Sequence, residues 1–498
     1  MIKTLYKEKH RPQFHYSPEK KWMNDPNGMV YFEGEYHLFY QHHPFGTKWA
    51  EQLHWGHAVS KDLIHWEQLP IALFPDENGT VFSGSAVVDW NDTTGFFQGE
   101  AGLVSIYTSH DMYPGTERPR QRQCLAYSKD KGRTWIKYEG NPVLADESIT
   151  DYRDPKVFWH EDSRKWVMIL ATGQMVTLYT SSNLIEWEFA SKFGHKAGSH
   201  DGVWECPDLF ELSVDGDKNN KRWVMLVSIG DNPSFPEGSR TQYFIGQFDG
   251  KTFVNENSDD TLLWLDFGRD NYAGVSWSDI PEDDGRRIYI GWMSNWRYAN
   301  VLPTEGWRSA MTIPREILLT TTDKGVRILQ KVVSEFNSLR NNNETIDEIT
   351  LEPSIPFHCN LLSSLMEVNI SFEKRDSTSF GAILENSIHE KVIIQYDAVR
   401  EKLTVDRRNA GISNFSDSFA TIQDATVKLE NNQIHLQLVL DTSSIEIFTN
   451  DGKVVFTSLI YPNQPYNKMV LFSNKGTAHV SSLVLTDLSS IWEKECKS

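Results

Sequence analysis

The sequence predicts an all-β chain: a five-bladed β-propeller domain over residues 1–330 followed by a C-terminal β-sandwich domain over residues 353–498. Three observations carry that expectation. A unit of strand, polar turn and strand recurs five times in the first two thirds of the chain. A short phrase closing on an aromatic residue recurs between the copies. β-branched and aromatic residues alternate with polar ones, and Gly, Pro, Asn and Asp punctuate them too closely for helices to compete.

The repeated unit reads DPNGMVYFEGEYHLFYQ, SGSAVVDWNDTTGFFQGEAGLVSIYTS, DPKVFWHEDSRKWVMILA, PDLFELSVDGDKNNKRWVMLVSIG and YAGVSWSDIPEDDGRRIYIGWM. Taking Asp25, Ser83, Asp154, Glu205 and Tyr272 as its starts, the intervals are 58, 71, 51 and 67 residues. Those lengths exceed a hairpin and suit a four-stranded blade with insertions. The closing phrases are SKDLIHW, SKDKGRTW, SSNLIEW and FDGKTF, each a tight turn between strands.

Towards Thr320–Asn343 the pattern changes. Val332, Phe336 and Leu339 fall at helical spacing before the polar run RNNNETIDE, so residues 331–352 are expected to form a partly helical linker. Beyond it the period of two returns in Met366, Val368, Ile370 and Phe372, and again in Ile434, Leu436, Leu438 and Leu440. SIEIFTNDGKVVFTSLIYP reads as a hairpin turning at Asn450, Asp451 and Gly452.

Composition excludes several partners. Lys and Arg number 49 against 68 Asp and Glu, a net charge of -19, and no cationic stripe tracks a phosphate backbone, so nucleic acid is not expected. Cys124, Cys206, Cys359 and Cys496 lie far apart without CxxC spacing, which indicates neither a disulfide framework nor a zinc knuckle. MIKTLYKEKHRPQFHY holds no apolar signal core and no run approaches a membrane span. A cytoplasmic protein is expected, with a secreted enzyme freed of its leader as the alternative; oligomeric state stays open.

In a propeller the first strand of every blade lines the central channel, so strand heads far apart in sequence gather at one mouth. Asp25, Asp154 and Glu205 are thereby expected to converge. Clustered acids repel one another, and a fold keeps them where chemistry, a cation or a metal offsets the repulsion. The neighbours favour chemistry: each acid precedes a proline or lies two residues from one, in NDP, RDP and ECPD, which fixes the backbone that aims it. Arg153 can hold a carboxylate or a hydroxyl, and Asn24 can orient its neighbour. His42, His43, His54, His57 and His65 crowd a short span, but His54 and His57 on a strand face opposite ways, so no metal site is expected. Cys206 lacks a His partner and reads as a packed thiol.

WMNDPNG (Trp22–Gly28), FSGS (Phe82–Ser85), YRDP (Tyr152–Pro155) and WECPD (Trp204–Asp208) resemble, in order, the motif set of glycoside hydrolase family 32. The resemblance continues through WRSAMTIPRE and into IEIFTNDGKVVFT, and DNYAGVSWSDIP and GWMSNWRYAN look like bacterial levanases more than invertases. It implies Asp25 as nucleophile, Glu205 as general acid/base and Asp154 as the carboxylate that holds fructose hydroxyls. It also maps Asn24, Gln41, Trp49, Phe82, Ser83, Arg153, Tyr272 and Trp292 around a terminal fructose.

The expected activity is retaining hydrolysis that releases terminal fructose from β-fructans, with levan, inulin and sucrose as substrates and no metal or cofactor. An invertase, an endo-levanase, a fructosyltransferase with the same site and a fructan-binding lectin are the alternatives. Pocket depth and linkage preference are expected to depend on TSHDMYPGTERPRQRQ (Thr108–Gln123) and GDNPSFPEGSRTQ (Gly230–Gln242).

Overall fold

Residues 5–492 are described in the structure, a computed structural model; Cys496 and the outermost ends of both expected domain spans lie outside the described residues. The first two thirds fold as successive antiparallel meanders. Lys21–Phe32, Glu35–His43, His54–Ser60 and Trp66–Leu73 pair in chain order. The next groups are Thr80–Asp89 to Ile136–Lys137, then Tyr152–His160 to Glu188–Phe193, then Trp204–Val214 to Phe253–Asn255. Tyr272–Ser276, Arg287–Met293, Arg315–Thr322 and Gly325–Val332 make a further group, joined to the one before it by a parallel contact of Val214 with Leu319.

Burial explains the order of strands within a group. Leading strands such as Lys21–Phe32 are covered on both faces, whereas the trailing Trp66–Leu73 and Glu188–Phe193 are exposed or half-buried over most of their length. The leading strands Lys21–Phe32, Thr80–Asp89, Tyr152–His160, Trp204–Val214 and Tyr272–Ser276 each lie against the next, and the last lies against the first. Two contacts close this ring. Val30 bridges Ser278, and Lys21 and Trp22 pair in parallel with Trp307 and Arg308.

The recurring aromatic phrases are one turn built repeatedly by local hydrogen bonds. In SKDLIHW the Asp62 carboxylate accepts from the amides of Ile64 (3.1 Å) and His65 (2.8 Å), and Trp66 Nε1 donates to the Leu63 carbonyl at 3.0 Å. In SSNLIEW, Asn183 accepts from Ile185 and Glu186, and Trp187 Nε1 donates to Leu184. Asp130 and Trp135 repeat the arrangement, and Asp249 repeats its carboxylate half. Side chains of Asp and Asn that bond to the backbone two or three residues on favour such turns over continued sheet.

Among the described residues the only helices are 3-10 turns at Ala299–Val301 and Ser334–Leu339. None among the described residues is long and apolar enough to cross a membrane. Residues 331–352, expected as linker, hold the second of these turns and then two strands. Arg340–Ile346 and Ile349–Leu351 both pair with Ala478–Leu488 and so belong to the C-terminal sheet. Arg340–Ile346 is an edge strand exposed over nearly its whole length, so its sequence carries no alternation to betray it.

The C-terminal third is two facing sheets, one of seven strands and one of six, around a core of Val368, Ile370, Phe380, Ile394, Leu438 and Phe456. It does not hang free of the ring. Trp22, Tyr272, Phe336, Val439, Phe448 and Leu488 belong to one continuous buried cluster. His15 is buried at this junction, with Nδ1 2.7 Å from Asp441 and Nε2 2.9 Å from Glu446, while Arg315 donates to Glu446 at 2.5 Å.

Burial works against the charge on His15, but the two carboxylates outweigh it and raise its pKa from 6.5 to about 9. A raised folded-state pKa contributes stability that is fully present below the unfolded value and lost as pH rises through about 9. Thermal unfolding should therefore lose roughly 1–3 kcal/mol more between pH 7 and pH 10 in the wild type than in His15→Gln. Parallel pH dependences in the two proteins, followed by circular dichroism, would refute this.

Candidate active site

Each leading strand carries the same irregularity at its head: one extra residue relative to its partner strand. The bulges fall between Met23 and Pro26, Val81 and Gly84, Arg153 and Lys156, Glu205 and Asp208, and Tyr272 and Val275. A bulge re-aims the side chains it carries. With the strands side by side, residues at equivalent bulge positions form rows across the mouth of the channel.

Arg153, Glu205 and Tyr272 are each the last paired residue before a bulge, on three consecutive strands. Arg153 Nη2 donates to Glu205 Oε1 at 2.6 Å, and the Tyr272 hydroxyl donates to Glu205 Oε2. The first bulged position gives Asp154 and Cys206, with the Cys206 amide donating to Asp154 Oδ2 at 3.0 Å. The second gives Asp25 and Ser83, and Ser83 Oγ donates to Asp25 Oδ2 at 2.9 Å. The three carboxylates therefore occupy three successive steps of the bulge instead of one shared step. The Cys206 thiol joins two of them, with Sγ 3.7 Å from Asp25 Oδ2 and 3.6 Å from Asp154 Oδ2.

Backbone strain accompanies this aiming. Asp154, Cys206 and Ala273 share the first bulged position and have φ of 64°, 45° and 53°. For residues with a side chain such a conformation costs about 1–3 kcal/mol and persists only where the surroundings impose it. In FSGS the glycine has a spatial reason: a Cβ on Gly84 would lie 2.1 Å from the Ile106 carbonyl oxygen.

Burial is the first cause raising the Asp25 pKa to about 6; the Glu205 charge adds to it, and hydrogen bonds from Asn24 and Ser83 oppose it. Burial likewise leads in raising Asp154 to about 7, with Glu205 and Asp25 adding and Arg153 opposing. Two acids coupled so closely titrate as a pair. Burial, reinforced by the neighbouring acids, keeps the Cys206 thiol and the Tyr272 hydroxyl protonated.

These groups face a cavity of about 360 Å³, lined by Asn24, Asp25, Gln41, Trp49, Phe82, Ser83, Arg153, Asp154 and Glu205 among the residues anticipated from sequence. Trp49 stands at the rim, 36% exposed, its amide bonded to Asn300. Phe82 stacks on His110 at 4.3 Å, and Gln41 Oε1 and Asp25 Oδ1 have no protein partner. Tyr272 and Trp292 differ: both are fully buried and absent from the cavity wall. Tyr272 acts on Glu205 from behind. Trp292 is paired within its strand, to Tyr272 and to Met311, and the wall is supplied by Trp296, beyond the strand's end at Met293.

Other wall residues escaped the sequence reading, notably Asp151, Gln121 and Glu51. His110, Met112, Pro119 and Gln121 come from Thr108–Gln123, which is a strand hairpin whose tip alone is a turn. None of Gly230–Gln242 reaches the wall; Asp231 pairs instead with Arg297 at 2.6 Å. The crowded histidines are tied locally: His42 to the Trp22 carbonyl, His43 to Lys48, His54 to Gln52, and His57 to His37.

Two carboxyls on a small polar cavity, one beside aromatic walls and the other held by Arg and Tyr, are the residue types a glycosidase site uses. Residues 15–331 match the glycosyl hydrolases family 32 N-terminal domain and residues 335–487 the family 32 C-terminal domain, and the chain belongs to that family. It is 49% identical over 497 residues to a levanase of Bacillus subtilis, covering 98% of this chain and 72% of that one. A levanase of Bacillus sp. strain L7 is 41% identical over 99% of this chain, which spans only 53% of that protein. The crystal structure of an exo-inulinase from Aspergillus awamori superposes with a TM-score of 0.88 at 33% identity, covering 98% of this chain and 100% of that one.

Ser83→Ala removes a hydrogen bond that favours the charged form of Asp25, so the Asp25 pKa should rise further above 6. Carboxyl titration followed by carbon-13 NMR checks the direction; a lower value would contradict the arrangement.

Proposed function

We propose that the chain is an exo-acting fructan β-fructosidase, hydrolysing terminal fructose from levan and also from inulin and sucrose, by a retaining double displacement. The observation that carries this is the staggered placement of Asp25, Asp154 and Glu205 around one cavity of about 360 Å³, a size suited to a chain end. The names of the relatives, levanase and exo-inulinase, point to the same substrates. The scaffold is read as five blades, each headed by one bulged strand, with the domain boundary at Ser334–Leu339.

In the first step the unpartnered Asp25 Oδ1 attacks C2 of the terminal fructose. The C2–oxygen bond to the leaving group breaks, and Glu205 delivers its proton to that oxygen. A fructosyl ester on Asp25 results. In the second step Glu205 takes a proton from water, the water oxygen bonds to C2, and the ester bond breaks to return the Asp25 carboxylate. Asp154 and Gln41 accept from ring hydroxyls, Arg153 and Tyr272 keep Glu205 in place, and Trp49, Phe82 and Trp296 pack on ring carbons and exclude water. A binding module would gain nothing from acids raised so far by burial.

Asp25→Asn and Glu205→Gln should each lower kcat on levan by at least about 10²-fold, and turnover close to wild type in either would end the proposal. Methanolysis should give methyl β-fructofuranoside, since two inversions retain configuration; the α-anomer would exclude the ester intermediate. The nucleophile must be ionised, so kcat/KM should fall as pH drops through about 6, the value to which Asp25 is raised. A profile flat down to pH 4 would contradict that role.

A further inference from the structure

Arg407 is wholly buried, lies on the strand Lys402–Asn409 of the C-terminal sandwich, and has no part in the chemistry described above. Its guanidinium reaches across the domain junction. Nη1 donates to Asp270 Oδ2 at 2.5 Å and Nη2 to the Tyr298 hydroxyl at 2.8 Å, and that hydroxyl donates to Asp270 Oδ1 at 2.6 Å. The three side chains thus bond pairwise in a closed triangle. Sandwich backbone completes it: Leu459 donates its amide to Asp270 at 2.8 Å, and Arg407 donates to the carbonyls of Phe419 and Leu459. Phe419 lies under the guanidinium at 4.1 Å and edge-on to Tyr298 at 5.2 Å.

Both ring residues held by Arg407 lead directly into the catalytic pocket. Asp270 stands two residues before Tyr272, whose hydroxyl donates to Glu205. Tyr298 stands between Trp296, on the cavity wall, and Asn300, which fixes the backbone of Trp49 at the rim. A buried ion pair adds little net stability over an apolar substitute, but it imposes one geometry, because either partner left alone is heavily penalised.

We infer that Arg407 of the sandwich domain is a positioning residue for the catalytic pocket, fixing Glu205 through Asp270 and Tyr272 and the Trp49–Trp296 wall through Tyr298. The inference rests on the reading of Glu205 as the proton donor, and it gives the C-terminal domain a share in the reaction beyond packing. A residue that only held the fold together would, when changed, slow every substrate alike. Misplacing the proton donor slows most those substrates whose leaving group needs the proton.

The experiment compares kcat/KM on sucrose with kcat/KM on p-nitrophenyl β-fructofuranoside, whose phenolate leaves unaided, in Arg407→Lys, Tyr298→Phe and Glu205→Gln. Arg407→Lys keeps the charge and loses the fork. Tyr298→Phe removes one hydroxyl without opening a cavity, and it decides the matter if the arginine variant does not fold. Both should lose about tenfold on sucrose, within the range that misplacement by an ångström produces, and clearly less on the aryl fructoside. Glu205→Gln should show the same selectivity more strongly. Selective loss in Glu205→Gln with equal or no loss in the other two overturns the link from Arg407. Equal loss on both substrates in Glu205→Gln overturns the proton-donor assignment and takes the link with it.

Discussion

One backbone irregularity, repeated at the head of each channel-lining strand, organises everything else in the site. Each bulge inserts a single residue at the same height, so that side chains from strands remote in sequence fall into rows. Had Asp25, Asp154 and Glu205 occupied one row, three carboxylates would face one another with no room for donors between them. Instead each acid has a row-mate of a different type: Ser83 beside Asp25, Cys206 beside Asp154, Arg153 and Tyr272 on either side of Glu205. The strain at Asp154, Cys206 and Ala273 is local to this arrangement, and the packed ring on which the strands sit holds it in place.

Burial alone pushes carboxyls towards neutrality, and Asp25 and Asp154 both move that way despite their hydrogen-bond donors. The Glu205 side chain is 21% accessible against 6% for Asp154, and it takes donors from both Arg153 and Tyr272. On the proposed assignment, a carboxyl that passes a proton between sugar oxygen and water needs such access, whereas one that only holds hydroxyls does not.

Much of this was legible in sequence because the chemistry that builds it is local. The turn phrases are recognisable since the Asp or Asn that caps each turn bonds within three residues of itself. The acids stand out through the prolines beside them. The reading drifted where the information is tertiary. Counting repeats from Asp25, Asp154 and Glu205 aligned residues that occupy different steps of the bulge, because the eye follows carboxylates and the backbone follows register. Trp292 and Trp296 stand four residues apart, and only the end of the strand at Met293 separates the core residue from the wall residue. Arg340–Ile346 passed for linker since an edge strand exposed on both faces has no apolar period. Arg407, in the run DRRNAG, looks like surface charge until Asp270 and Tyr298 arrive from another domain.

The strand that carries Asp25 takes one of its neighbours, Trp307 and Arg308, from the far end of the ring. A ribosome releasing this chain therefore exposes the Asp25 carboxylate well before the residues that complete its surroundings. Such long-range pairing is slow to form and leaves unfinished sheet edges in the interval. A fragment ending before Trp307 would hold Asp25, Asp154 and Glu205 yet lack the strand that pairs with Lys21 and Trp22.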